Sequence, residues 1–131
     1  MDNKELNKMI AKRFVVNDSV IAIAADDINL LKKTSDFIDG IQELTSIDNA
    51  KTTLIAMTEK LRDAHTQCKL NRFAIKFFAN ITDEWNLELF KAIHDFFDSV
   101  GDDYEIQWGL SRDKEIQENQ LLICMVGGFN K

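Results

Sequence analysis

The chain has 131 residues and 15.0 kDa, with 16 Lys+Arg against 22 Asp+Glu, a net charge of −6 and a pI near 4.9. Hydrophobic residues at 45% and charged residues at 29% exclude wholesale disorder, and no apolar run approaches the ~18 residues of a membrane-spanning helix. The N-terminus MDNKELNKMI lacks the basic start and apolar stretch of a secretory signal, so one soluble, cytoplasmic domain over 1–131 is expected, with 1–11 a short helix or a frayed end.

An acidic chain is a poor match for a phosphate backbone, and no nucleic-acid partner is expected. Its densest basic stretches, Lys12-Arg13 and Lys69 to Lys76, are diluted by apolar or neutral neighbours. Cys68 and Cys124 form no CxxC pattern and read as reduced, structural thiols. Cys124, inside LLICMV, reads as a small buried hydrophobe.

After the turn-like Asn17-Asp18-Ser19, Val20–Ala24 is expected to form a strand, although its alanines also suit a helix. Asp26 or Asp27 supplies a carboxylate to cap the next helix. That helix is predicted over Ile28–Leu44, because Leu30, Phe37, Ile41 and Leu44 fall on one helical face and Leu31 and Ile38 widen it. Ser46 or Asp48 caps a second helix, whose Ala50, Leu54, Met57, Leu61, Ala64 and Cys68 make a seam in steps of four and three. Three heptads with Ala and Cys in the seam point to packing on a sheet rather than to a coiled-coil dimer.

Arg72–Asn80 reads as a strand with Phe73, Ile75, Phe77 and Ala79 on one face and Lys76 and Asn80 on the other. Thr82 opens a third helix, with Asp83 and Glu84 in its first turn, where the helix dipole favours them. Leu89, Ile93, Phe96 and Val100 form its buried stripe, flanked by Trp85, Phe90 and Phe97, and Gly101 stops it. Tyr104, Ile106, Trp108 and Leu110 alternate as a half-buried strand. Ser111–Gln120 is a loop or a hairpin end, and Leu121–Val126 is a central strand. The order β-α-α-β-α-β-β predicts an α+β two-layer sandwich, a mixed sheet of about four strands with helices on one face.

No catalytic constellation emerges. His65 and His94 are the only histidines, and neither has a second histidine at helical ligand spacing, so no metal is expected. No Ser or Cys lies in a nucleophile motif. Asp95, Asp98, Asp102 and Asp103 cluster at the end of the third helix, but their spacing matches no EF-hand loop, and they read as a solvated acidic patch. Gly127-Gly128 precedes no helix and so cannot cradle a phosphate. The aromatics Phe73, Phe77, Phe78, Phe90, Phe96, Phe97, Trp85 and Trp108 read as core ahead of pocket lining.

From Arg72 onward the chain resembles the C-terminal domain of the FtsZ/tubulin family. The carriers are Asn80-Ile81-Thr82 before an acidic helix, Trp108-Gly109 and Asp113 after it, and Gly128-Phe129 at the end of the last strand. The resemblance covers about residues 72–129 and implies that family's C-terminal fold. The family's GTPase domain and its Gly-rich phosphate loop are absent, so no GTP site or cofactor is implied. The nearest counterpart of the family's acidic loop is Ser46 to Lys51, where Asp48 is more simply a helix cap. The chain reads as a stand-alone relative or an excised fragment, and its initial Met favours a complete chain.

A non-enzymatic protein–protein interaction or assembly domain is therefore expected, acting by self-association or by docking on a larger partner. By the resemblance, the third helix and last two strands supply the contact surface, with Glu84, Glu88, Lys91 and Asp95 at its rim. The alternative is a small-molecule-binding regulatory domain with a ligand in an aromatic-lined cleft.

Overall fold

The computed structural model describes residues 1–14, 19–21, 25–80, 87–100 and 103–131, with only the backbone at 19–21, 25 and 26. Within them, one mixed sheet is built from β1 (Ser19–Ile21), β2 (Phe37–Ser46), β3 (Lys69–Ala79), β4 (Glu105–Arg112) and β5 (Gln120–Asn130), in the order β1-β4-β3-β5-β2. The helices are α1 (Asn3–Met9), α2 (Ala25–Thr34), α3 (Ala50–Ala64) and α4 (Leu87–Val100). A π-helical turn, Ile10–Phe14, continues α1, and a 3-10 turn, Ile47–Asn49, leads into α3. β3 and β4 run parallel, with α4 between them in sequence, and every other pairing is antiparallel. The α+β class and mixed sheet agree with the expectation.

β3 decides the layering, because both of its faces are buried. Phe73, Ile75, Phe77 and Ala79 join Ile123, Met125 and Phe129 of β5 on one face, beneath Leu54, Met57 and Leu61 of α3 and Leu89, Ile93 and Phe96 of α4. Ala74 and Phe78 join Cys124 and Val126 on the other, beneath Leu6 and Met9 of α1, Ile10 and Phe14 of the π turn, and Ile28 and Leu31 of α2. The expectation of helices on one face is corrected accordingly. A sheet whose central strands are apolar on both sides must be covered on both.

The largest correction concerns the helix predicted over Ile28–Leu44. The helix ends at Thr34, and β2 takes over from Phe37, pairing residue by residue with β5 from Phe37↔Phe129 to Ser46↔Gln120. The sheet therefore gains a fifth strand. Alternation in β2 is disguised because Asp39 and Glu43 share a face with Phe37 and Ile41. These carboxylates sit at the rim of α3, where His65 Nε2 lies 2.9 Å from Asp39 and Lys60 Nζ 3.4 Å from Glu43. Asp36 fixes the entry to the strand. Its N–H donates to the Phe129 carbonyl at 2.9 Å, and its carboxylate accepts the Lys131 N–H at 2.7 Å.

Smaller differences follow from the same packing. The strand expected at Val20–Ala24 is present at Ser19–Ile21, while residues 22–24 lie outside the described residues. The α3 seam holds from Ala50 to Leu61, but Ala64 is exposed and Cys68 lies beyond the helix. β5 runs on through Gly127 and Gly128 to Asn130. Glycine suits position 128, since a Cβ there would crowd the side chains of Leu31 and of Ser35, in the segment that joins α2 to β2. Residues 113–119 form the loop, because β4 and β5 are separated by β3 and make no hairpin.

Candidate interaction surfaces and their chemistry

α4 is amphipathic as predicted. Leu89, Ile93 and Phe96 face the core, and Glu88, Lys91, His94 and Asp98 face outward. At its first turn Leu87 is 79% exposed, the largest exposure among the bulky apolar residues described. Of the four rim residues expected from the sequence, Glu88 and Lys91 are exposed on this face and Asp95 is half-buried beside it. Glu84 lies outside the described residues. So do Trp85, Gly101 and Asp102, whereas Asp98 and Asp103 are solvated.

Beside α4, Trp108 of β4 lies 6.1 Å from both Phe90 and Phe97, and 6.0 Å from Phe77 beneath. Phe90, Phe97 and Trp108 are half-buried, so they seal the edge of the core while keeping part of their surface in water. Edge-to-face geometry of this kind is worth about 0.5–1.5 kcal/mol per pair beyond area burial. A shallow cavity of about 690 Å³ lies elsewhere, between the α3–β3 turn and the end of β5. Its lining includes the charged residues Arg62, Asp63, Lys69 and Asp103, and Tyr104 is the aromatic that reaches it.

His65 caps the C-terminus of α3, and its ring is held between Phe37 at 4.8 Å and Phe129 at 4.7 Å. Its Nε2 donates to Asp39 Oδ2, while Asp39 Oδ1 accepts the Gly40 N–H and lies 3.5 Å from the N-terminal amine. This network clasps the edge strand β2 to α3 and to the start of the chain. Sequence reasoning missed it, because the two partners are 26 residues apart and nothing in their spacing marks them. His94 is exposed, 6.5 Å from Phe97.

On the second sheet face Lys76 is completely buried, with Nζ 5.9 Å from the Phe78 ring, while the Arg13 guanidinium lies 5.3 Å from that ring. Burial pushes the Lys76 ammonium below the usual lysine range, partly opposed by the Cys124 sulfur beside it. Burial also pushes the Cys124 thiol up to about 12, against the pull of Arg13 and Lys76. Such a thiol is a poor nucleophile, in keeping with a structural role. Among the described residues no group of three or more His, Cys, Asp or Glu is placed to hold a metal ion, and no helix is long and apolar enough to cross a membrane.

No protein-family model and no curated protein matches the chain. The solved structure of an FtsZ W319Y mutant from M. jannaschii does match, with a TM-score of 0.60 and 16% identity over 98% of this chain. The chain has an FtsZ-like fold. It spans 41% of the length of that FtsZ chain, a domain-sized part, as the resemblance to the C-terminal domain implies. A thiamine-monophosphate kinase from Stenotrophomonas maltophilia K279a matches with a TM-score of 0.47 and 13% identity, over 93% of this chain and 40% of that one.

Proposed function

We propose that this FtsZ-like chain is a non-enzymatic, cytoplasmic assembly domain that associates with a second copy of itself through the outer face of α4. The observation that carries this reading is Leu87, 79% exposed and flanked by Glu88 and Lys91, next to the half-buried aromatics around Trp108. An apolar centre with a charged rim is the anatomy of a protein–protein contact. One charge of each sign, three residues apart, suits a two-fold contact. Two antiparallel α4 helices crossing between Glu88 and Lys91 set each glutamate opposite the other copy's lysine. Asp95, further along α4, stands at the rim in this reading.

Charge exchange tests the reading. Glu88→Lys alone sets like charges opposite each other twice in a two-fold contact and weakens association by about tenfold or more. Glu88→Lys combined with Lys91→Glu restores it, and Leu87→Asp abolishes it. Association that survives Leu87→Asp and Glu88→Lys unchanged would remove α4 as the contact.

A further inference from the structure

The geometry points to a second site, independent of α4: a pocket between the α1–π segment and β2 that binds a small multivalent anion of the phosphate or carboxylate class. The pocket measures about 280 Å³, and Lys8, Lys12 and Arg13 converge on it with Gln42 of β2, over Met9. Glu5 is its one carboxylate, so three side-chain cations face one anion. The ion pairs among the described residues use none of these three cations. Of the acids on β2, Asp39 is engaged by His65 and the N-terminal amine, and Glu43 by Lys60.

Such an excess of positive charge is unusual in a chain of net charge −6. It is built in by the fold. The π turn buries Ile10 and Phe14, and thereby fixes Lys12 and Arg13 between two anchored residues. π turns concentrate at functional sites. Arg13 is half-buried with its guanidinium over Phe78, so its planar donor fork is held at the pocket at little further entropic cost. The size is below that of a site for drug-sized ligands and suits a compact occupant, and the three cations favour an anion. Arg bidentate to an oxyanion, with two lysines as point charges and an amide as neutral partner, suits phosphate esters and small polycarboxylates alike.

Titration calorimetry of the full chain with pyrophosphate and with citrate, at 50 and 200 mM NaCl, tests this site and separates the two anion types. At least one of them is expected to bind 1:1 and to weaken at the higher salt. Lys8→Gln with Lys12→Gln, both at exposed positions, lowers that affinity by tenfold or more while the melting curve stays in place. Arg13→Gln abolishes binding. Lys60→Gln, on the other face of β2, changes nothing. Failure of both anions to saturate, equal binding by the Lys8/Lys12 variant, or capture of an acidic peptide while both small anions fail would each overturn the assignment.

Discussion

Gly40 offers a sharp test of the layering, because strand propensity and packing predict opposite results for Gly40→Val. Valine is favoured in strands over glycine, and replacing glycine also reduces the entropy of the unfolded chain, so local considerations predict a gain of up to about 1 kcal/mol. The structure predicts a loss. A Cβ at residue 40 would lie 2.6 Å from Leu6 Cδ1, 3.0 Å from Met9 Cε and 3.2 Å from the Met125 carbonyl oxygen, against about 3.5–4.0 Å for comfortable carbon contacts. Leu6 and Met9 are both buried, and the Met125 oxygen belongs to the neighbouring strand, so the two side chains must repack or α1 must shift. Overpacking of this kind costs about 1–3 kcal/mol, leaving a net loss of up to about 2 kcal/mol once the full local gain is taken off. Urea unfolding reads it as a lower midpoint at unchanged slope. Adding Leu6→Ala to Gly40→Val recovers part of the loss, a coupling that a double-mutant cycle measures. A Gly40→Val chain more stable than the parent would contradict the packing of α1 against β2.

Three further outcomes follow from the two cores. Leu54→Ala, at the centre of the α3 seam and without solvent exposure, costs about 2–5 kcal/mol in chemical denaturation. The depressed folded-state pKa of Lys76 means that the unfolded chain holds the extra proton, so this residue's contribution to stability rises with pH between the lowered value and the ordinary lysine value of 10.5. Lys76→Met flattens that rise, read from melting temperatures at several pH values. In the native state a thiol reagent at pH 8 labels the half-buried Cys68 well before Cys124, whose buried thiol is held up at about 12; in denaturant both react together.

The second half of the fold was legible because its patterns are local. β3 announces itself by four apolar residues at alternate positions, and α4 by Leu89, Ile93 and Phe96 at helical spacing. β2 was not legible, since its strand character depends on partners distant in the chain. Asp39 and Glu43 break the apolar alternation, and their partners, His65 and the N-terminal amine for Asp39 and Lys60 for Glu43, come from other parts of the chain. Leu30, Phe37, Ile41 and Leu44 still fall on one helical face, so the period was ambiguous there and tertiary pairing with β5 decided it. The second sheet face was hidden for a related reason. Lys76 and Asn80 read as the opposite, polar face of the strand expected over Arg72–Asn80, and a lysine is seldom completely buried.

Of the candidate sites, Glu88 and Lys91 could be placed on the outside of α4 from periodicity alone. The basic pocket was half visible. Lys12-Arg13 stood out in the sequence, yet its convergence with Gln42 requires α1 to fold back over β2. The Asp39–His65 clasp left no local trace.

Sedimentation velocity of the purified chain across a wide concentration range tests the central claim most directly. The account predicts a reversible rise in sedimentation coefficient with concentration from monomer to dimer, lost on Leu87→Asp. A strict monomer at every concentration would contradict self-association as the function.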